Sequence, residues 1–467
     1  MRTWVLLLLA LLPLAGGAAK ASVPNVVIIN ADDMGWGDLG CYGNRVNPTP
    51  NLDRLASQGM RFTSFYAAQA VCTSSRVGLM TGCYPNRLGL GGIALGPSSK
   101  LGLAESEQTM GTIFRQAGYR TCAVGKWHLG DAPQFLPPAH GFDESMVIPY
   151  SNDMWPKGYF PGDESRKMKY PPLPRYTDGY RMGLVDDWAD MDELTSVQGF
   201  RGMKFIRDLA RRSKPFFLYL ATSMPHTPLG ASKDFKGKGP TPYAETLADL
   251  DRMVGAIMRV LDDMKVAENT ILIFTSDNGP WLNFGKHAGS AGHFREGKGT
   301  TFEGGVRVPL IVRWPGKVEA GSVSGALSSN IDLLPTVIEA CGLSSPALPI
   351  DGLSFLPVLK GERAKVREDF AYYYGDKLEA VRVGRWKLHL PHKHRSYEDM
   401  VFPKQDGAPA ETKTKSIDLS LYDLVADPGE RVDVKDRNPE VVNELKAFAE
   451  KERKRMDAAK RPVGRAN

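Results

Sequence analysis

A cysteine and an arginine lie four residues apart in the stretch 71–82, which reads VCTSSRVGLMTG. The pattern predicts a loop that enters a helix, because Ser74 and Ser75 are typical of helix starts and apolar residues follow them. A thiol at a helix N-terminus lies near unpaired backbone N–H groups, and Arg76 adds a full positive charge. For a lone cysteine, a buried structural thiol is the commoner interpretation. The remaining residues of the chain must decide whether Cys72 does chemistry.

Acidic residues follow two predicted strands at the points where the strands end. One apolar run ends on Asp32-Asp33, and a later one ends on Asp277-Asn278. Ligands of open α/β sheets bind at the carboxyl ends of strands, so we expect these side chains to converge. Carboxylate and amide oxygens are hard ligands that suit Ca²⁺, with Mg²⁺ as the alternative. A single Asp-Asp pair is more often a cap or a turn, but two such clusters favour a metal site.

Basic and imidazole side chains follow other predicted strands. Lys126 and His128 lie in the stretch GKWHLG, and would point the same way if the backbone stays extended. His226 follows a further strand, and Lys298 lies in the glycine-rich stretch GKGTTFEGG, which allows close backbone approach. Each of these residues alone is more often structural or solvated. Together with a metal and a nucleophile, they are the groups that an enzyme needs to act on an ester of a tetrahedral oxyanion.

The elements that must position these residues alternate between strand and helix. Strands are predicted over 23–31, 119–124, 215–221, 270–275 and 306–313, and helices over 52–57, 109–117, 200–212, 246–265 and 332–341. This order predicts an α/β fold with a large, mostly parallel or mixed sheet sandwiched by helices. The stretch 149–174 lacks either period and is predicted to be a surface loop at the rim of the substrate pocket.

The pattern changes after about residue 365. Short strands are predicted over 370–374, 378–383, 386–390 and 420–422, with a polar loop over 399–415 and a helix over 439–456. We therefore expect a catalytic α/β domain over 22–365 and a smaller C-terminal subdomain over 366–467, an antiparallel sheet with a packed helix. A chain of 467 residues is long enough for two such units.

Composition limits the partners and the compartment. The net charge of +6 comes without a basic stripe interleaved with aromatics, so we expect no nucleic-acid partner. Arg2, an apolar run and the stretch Ala19-Lys20-Ala21 predict a signal peptide over 1–21, export after its removal, and no stable membrane insertion. Five cysteines are an odd number for an oxidising compartment, so one thiol is left over; the spacing leaves any pairing open.

The motif around Cys72 resembles the signature of type I sulfatases, whose core is Cys, any residue, Pro or Ala, any residue, Arg. The resemblance extends through Leu79-Met-Thr-Gly82 and Tyr84-Pro-Asn-Arg87. Blocks that match the family follow one another in the family's order from about residue 25 to 316. The GKGTTFEGG block is most similar to the branch of arylsulfatase A and N-acetylgalactosamine-6-sulfatase. Two positions depart from the pattern, Ser74 at the third place of the core and Cys83 where an arginine often follows Thr-Gly.

This resemblance implies a secreted sulfuric ester hydrolase of the alkaline-phosphatase-like superfamily. It implies that a formylglycine-generating enzyme oxidises Cys72 to Cα-formylglycine, whose hydrated aldehyde attacks sulfur. Its substrate would be a sulfated carbohydrate or a small sulfate ester. The implied metal ligands are Asp32, Asp33, Cys72, Asp277 and Asn278. The implied catalytic and sulfate-binding residues are Cys72, Arg76, Lys126, His128, His226, Asp277 and Lys298.

The resemblance also implies individual roles. Asp277 would be the base for the attacking hydroxyl, His226 or Lys298 would protonate the leaving alkoxide, and His128 would assist release of sulfate. Two alternatives remain open, a phosphodiester or phosphonate monoester hydrolase of the same superfamily and a non-catalytic binder of sulfated glycans. Specificity is expected to depend on the loop 149–174, on His287 and His293, and on the small subdomain.

Overall fold

The computed structural model of the protein describes residues 23–466. Its strands are, in chain order, β1 Asn25–Ala31, β2 Met60–Tyr66, β3 Leu101–Gly102, β4 Arg120–Lys126, β5 Glu144–Ile148, β6 Leu173–Thr177, β7 Tyr180–Val185, β8 Phe216–Ala221, β9 Thr270–Ser276, β10 Arg307–Arg313, β11 Ser322–Ser324, β12 Ser328–Ser329, β13 Asp369–Tyr374, β14 Lys377–Val383, β15 Trp386–His389, β16 His392–Ser396, β17 Lys413–Ile417, β18 Ser420–Asp423 and β19 Gly464–Arg465. The α-helices are α1 Pro50–Ser57, α2 Cys72–Thr81, α3 Met110–Gln116, α4 Trp188–Asp192, α5 Leu194–Arg211, α6 Pro242–Asp263, α7 Glu303–Val306, α8 Leu333–Ala340, α9 Leu356–Leu359 and α10 Pro439–Ala458.

A large mixed sheet runs through the molecule in the order β11-β2-β10-β9-β1-β8-β4-β5-β6-β7, with β12 also paired to β2. The central strands β9, β1, β8, β4 and β5 are parallel to one another, whereas β10, β6 and β7 pair with their neighbours in antiparallel fashion. Strand β1 is buried along its whole length, which is why its sequence is a continuous apolar run rather than an alternating one. The predicted α/β class and mixed sheet are confirmed.

Helices cover both faces of this sheet. Val26 and Ile28 of β1 pack into the core on one face with α2, α3 and α8. Val27 and Ile29 pack into the core on the other face with α1, α5 and α6. Because successive side chains of a strand point to opposite faces, one strand contributes to both cores.

Two long helices begin earlier than predicted. Helix α5 begins at Leu194 rather than at residue 200, and Leu194 itself is buried in the core. Helix α6 begins at Pro242, where the side chain of Thr241 accepts a hydrogen bond from the backbone N–H of Ala244. A Thr-Pro pair is a standard start signal that the predicted boundary at 246 did not use.

The C-terminal part contains a four-stranded antiparallel sheet in the order β13-β14-β15-β18, against which α10 packs. This confirms the smaller antiparallel sheet and its helix, while the domain boundary at 365 stays a prediction. Strands β16 and β17 form a hairpin that the sequence did not predict. Both strands are rich in charged residues, so neither shows the alternating apolar pattern of a half-buried strand.

The stretch 149–174 differs from its prediction as a surface loop. Residues 150–155 are buried, and the stretch continues into β6 from Leu173. Only the section around 161–172 is largely exposed. The buried residues 150–155 closely follow β5 of the large sheet.

The five cysteines are all free in the structure, so no disulfide forms between them. Across residues 23–466 we find no helix with the length and apolar character needed to cross a bilayer. The predicted signal peptide, residues 1–21, lies outside the described residues.

Candidate active site

The predicted site residues meet because four parallel strands end at one edge of the sheet. Ala31 pairs with Ser276 in the register of β1 and β9, so Asp32-Asp33 and Asp277-Asn278 emerge side by side. Lys126 is the last residue of β4, and His226 follows β8, which lies between β4 and β1. Helix α2 begins with Cys72 at the same place. Convergence at the carboxyl ends of strands is confirmed.

Metal-type donors surround Cys72. Donor atoms of Asp32, Asp33, Cys72 and His226 all lie within 4.8 Å of one another, and all four residues are buried. The Cys72 Sγ lies 3.6 Å from Asp32 Oδ1 and 3.9 Å from Asp33 Oδ1. The Asn278 Oδ1 is buried without a hydrogen-bond partner, although its Nδ2 donates to Asp33 Oδ1 at 2.7 Å. A buried amide oxygen without a donor, beside several carboxylates, fits a hard divalent cation.

Arg76 faces the carboxylates of the site. Its guanidinium lies 2.8 Å from Asp277 Oδ2 and 3.6 Å from Asp32 Oδ2, and it donates to the Lys126 carbonyl at 2.8 Å. Burial by itself raises the pKa of Asp277, but Arg76, Lys126 and Lys298 together hold that pKa below its ordinary value. The charge of Arg76 therefore balances part of the negative charge of the acidic cluster.

Each of the two lysines of the site faces a carboxylate. Lys126 Nζ lies 2.5 Å from Asp32 Oδ2 and donates to Ser151 Oγ at 3.0 Å. Lys298 Nζ lies 2.8 Å from Asp33 Oδ2 and 4.6 Å from the centre of the Trp281 ring. Burial opposes the charged form of Lys298, but Asp33 and its neighbours raise its pKa well above the ordinary value.

The two histidines flank the same cluster. His128 Nε2 is 2.9 Å from the Leu95 carbonyl, and its Nδ1 is buried without a partner. An extended backbone from Lys126 to His128 was one possibility in the sequence. The structure differs, because His128 has a φ of 61°. His226 Nε2 lies 3.4 Å from Asp33 Oδ2. Burial, together with the nearby lysines, lowers the pKa of both imidazoles well below the ordinary value.

Helix α2 begins at Cys72 itself, two residues before the first of the two serines. Ser74 Oγ donates to the Leu90 carbonyl at 2.7 Å and accepts from the Ile93 N–H at 3.1 Å. Ser75 Oγ donates to the Asp277 backbone carbonyl. The serines therefore attach the helix to neighbouring loops instead of capping it.

Burial opposes the thiolate form of Cys72. Burial raises the pKa of this thiol far above its ordinary value, and the opposing effect of Lys126 and Lys298 does not reverse the shift. This differs from the expectation for a thiol at a helix start beside an arginine, because the position is buried and acidic. A protonated, buried thiol is a poor nucleophile by itself.

A pocket of about 220 Å³ opens onto Cys72, His128, His226 and Lys298. Its walls also include residues that carried no sequence motif, namely Ser151, Asp153, Met154, Trp281, Tyr374 and Arg395. The loop after residue 149 and the small sheet therefore contribute to the pocket. His287 and His293 do not line it: His287 lies 3.8 Å from Asp406, and His293 packs against Trp36. A larger cavity of about 710 Å³ lies away from Cys72, beside α10.

Comparison with known proteins gives the family. The family described as Sulfatase matches residues 24–343, and the family described as N-sulphoglucosamine sulphohydrolase, C-terminal, matches residues 289–455. The chain belongs to the sulfatase family. It is therefore a sulfuric ester hydrolase, and it has the α/β fold of the family's solved structures.

Individual sulfatases are similar over nearly the whole chain. Arylsulfatase A from Homo sapiens is 38% identical over 460 residues, covering 93% of this chain and 89% of the relative. N-acetylgalactosamine-6-sulfatase from Rattus norvegicus is 39% identical over 442 residues, covering 90% and 82%. The crystal structure of the PsFucS1 sulfatase from Pseudoalteromonas sp. has a TM-score of 0.84 and 28% identity, covering 95% and 93%. These relatives support the predicted branch and hydrolysis of sulfate esters.

Proposed function

We propose that this sulfatase desulfates sulfated carbohydrates or small sulfate esters with formylglycine at position 72 and a divalent cation, Ca²⁺ or alternatively Mg²⁺. The observation that supports this most is the convergence of four strand ends and the start of α2 on Cys72. The Cys72 Sγ stands where the oxygens of a hydrated formylglycine would lie, between Asp32 and the pocket. We further propose maturation by a formylglycine-generating enzyme and export after removal of residues 1–21.

The cation would be held by Asp32, Asp33, Asp277 and Asn278, with position 72 as a further ligand. Bound there, it would polarise the sulfate oxygens and the hydroxyl at position 72. The unpaired Asn278 Oδ1 and the clustered carboxylates support this set. His226 is also within reach of the cluster, but we assign it to the substrate side because it lines the pocket.

We assign the remaining catalytic roles to side chains by their positions in the site. Lys126 and Lys298 are cations beside Cys72, and they would bind the sulfate oxygens and balance the charge that develops on them. Lys298 or His226, both on the pocket wall, would donate a proton to the leaving oxygen. Asp277 would accept the proton of the attacking hydroxyl, with its carboxylate oriented by Arg76. His128, with an unpartnered Nδ1, would assist the release of sulfate.

One experiment tests the modification and the activity on the same material. We would measure sulfate release from 4-nitrophenyl sulfate and from sulfated saccharides, and determine the mass of the peptide that contains position 72. Formylglycine in active protein is the expected result. Turnover by protein whose peptide carries only an unmodified thiol would contradict the mechanism, and release of phosphate but not sulfate from matched aryl esters would contradict the substrate class.

A further inference from the structure

The hairpin β16–β17 places an arginine in the wall of the active-site pocket. Arg395 is on β16, whose two neighbours in sequence, His394 and Ser396, are buried while Arg395 is exposed. Strand β16 belongs to the C-terminal part of the chain, yet Arg395 lines the same pocket as Cys72 and Lys298. The hairpin therefore adds a positive charge to the wall of this pocket.

Arg395 lies close to the backbone that carries Lys298. A Cβ built on Gly299 would be 3.5 Å from Arg395 Nη1 and 3.8 Å from the Tyr374 hydroxyl. Gly299 directly follows Lys298, and its φ of +83° favours glycine. The guanidinium is therefore positioned at the pocket mouth, next to the residue whose ammonium faces the acidic cluster.

The residues that follow Arg395 hold the backbone of its strand in place. Glu296 accepts hydrogen bonds from Ser396 Oγ at 2.8 Å and from the Tyr397 N–H at 2.7 Å. The Tyr397 hydroxyl donates to the Lys298 carbonyl at 2.6 Å. These contacts join the hairpin to the glycine-rich loop, so the backbone at Arg395 is already ordered when a ligand binds.

The charge of Arg395 is not balanced by the protein. The other three cations near Cys72 each face a carboxylate, Arg76 at 2.8 Å, Lys126 at 2.5 Å and Lys298 at 2.8 Å. Within residues 23–466, no Asp or Glu forms an ion pair with Arg395, whose nearest hydrogen-bond contact is the Tyr397 hydroxyl at 3.5 Å. A guanidinium is a planar fork that suits carboxylates and sulfates, and it is most useful where such a group can reach it.

We propose that Arg395 binds a second acidic group of the substrate, a carboxylate or a further sulfate, while the sulfate to be cleaved lies at Cys72. This inference rests on the proposed function and narrows it to carbohydrates that carry at least two anionic groups. A hydrogen bond to a charged group contributes about 1.5–3 kcal/mol, which corresponds to roughly a tenfold to hundredfold change in affinity. A simple aryl sulfate has no second anion and gains nothing from Arg395.

The proposal can be tested by measuring ligand binding to a variant that has no turnover. In a Cys72→Ala background, we would measure dissociation constants by calorimetry for matched pairs of saccharides. One arm pairs hexose and hexosamine monosulfates with the corresponding disulfates, and the other pairs monosulfated disaccharides containing a uronic acid with their methyl esters. We expect at least one dianion to bind about tenfold more tightly than its monoanionic partner, and the arm that shows it identifies the second anion.

The variants connect this preference to one side chain. Arg395→Ala should reduce the preference to less than about threefold, and Arg395→Lys should restore part of it. Lys413→Ala, an exposed lysine on β17 outside the pocket, is the matched control and should keep the preference. A preference that survives Arg395→Ala, or no preference for a dianion in any pair, would overturn the proposal.

A kinetic measurement separates this inference from the proposed function. With Cys72 intact, Arg395→Ala should change kcat/KM for 4-nitrophenyl sulfate by less than about threefold. A large loss with this ester would place Arg395 on the reacting sulfate and contradict the inference. Failure of the parent protein to release sulfate from any ester would instead contradict the proposed function.

Discussion

Arg76 and Asp277 form an ion pair in which neither side chain is exposed, with Nη2 2.8 Å and Nε 3.0 Å from the same carboxylate oxygen. The pair joins the second turn of α2 to the residue that follows β9, so it holds Cys72 against the acidic cluster. Residues four apart in the sequence motif thus have separate tasks: Cys72 faces the pocket, and Arg76 orients a carboxylate. This division was not visible in the spacing of the motif.

Asp277→Asn should lower turnover by at least about 10³, because it removes a metal charge and the proposed base. It also leaves Arg76 without its nearest countercharge, and breaking a buried pair in this way costs about 3–5 kcal/mol of stability. Turnover must therefore be normalised to folded protein by circular dichroism. Activity within tenfold of the parent would contradict the role of Asp277.

A second buried pair provides the control for that experiment. Arg367 Nη2 lies 2.6 Å from Asp332 Oδ1, and both side chains are almost fully buried away from the pocket. Asp332→Asn should lower the free energy of unfolding by a similar amount while leaving turnover per folded molecule unchanged. Equal losses of turnover in the two variants would show that the effect of Asp277→Asn is one of stability.

The site residues at strand ends could be predicted from the sequence, whereas most residues of the pocket wall could not. Asp32 and Asp277 follow apolar runs long enough to identify buried parallel strands, and the topology of such sheets then brings them together. Arg395 could not be predicted, because its strand has no apolar alternation and its distance along the chain from Cys72 gives no sign of contact. The ion pair of Arg76 with Asp277 could not be predicted either, because local spacing does not reveal a partner from another strand.

Ser74→Ala should lower the free energy of unfolding by about 1–3 kcal/mol, because the Leu90 carbonyl and the Ile93 N–H lose a buried partner. Ser74→Pro, which restores the residue commoner in the family motif, loses the same hydroxyl. We expect its modified fraction at Cys72 to stay equal or rise while its stability falls. Chemical denaturation of both variants checks this, with exposed Ser57→Ala, expected to change stability by less than about 0.5 kcal/mol, as the control.

Glu379 lies outside the catalytic cluster and should make the stability of the protein depend on pH. Burial raises the pKa of Glu379 from 4.5 to about 7, although the Thr301 hydroxyl donates to it at 3.0 Å and opposes the shift. A folded-state pKa above the unfolded value means that its contribution is fully present below pH 4.5 and is lost as the pH rises through about 7. Glu379→Gln should reduce the decline in the free energy of unfolding between pH 5 and 8, by up to about 1.4 kcal/mol per pH unit.

Urea denaturation of parent and variant at several pH values measures this difference. The comparison cancels the titration of other buried carboxyl groups, such as Asp38, whose pKa is also raised to about 7 by burial. Glu411→Gln, an exposed substitution in the same part of the chain, should follow the parent. Parallel pH profiles for the parent and Glu379→Gln would contradict the shift.

Lys298→Ala should lower kcat for 4-nitrophenyl sulfate by about 10²–10³, with a smaller change in KM, because charge on the sulfate and leaving oxygens is greatest in the transition state. The variant also removes the ammonium 2.8 Å from Asp33. Lys286→Ala, an exposed lysine outside the pocket, should behave as the parent does. An unchanged kcat in Lys298→Ala would mean that the lysine only balances Asp33.

Cys72→Ala should abolish turnover while the fold remains, because the side chain is replaced by a smaller one at the first position of α2. Cys72→Ser should be inactive or become sulfated once, because a single hydroxyl can attack sulfur but cannot then expel sulfate as a hydrated aldehyde can. Intact mass after incubation with an aryl sulfate distinguishes these outcomes, since transfer to the serine hydroxyl adds the mass of one SO3 unit to the protein. Sustained turnover by Cys72→Ser would show that no aldehyde is needed at this position, and the proposed mechanism would then be wrong.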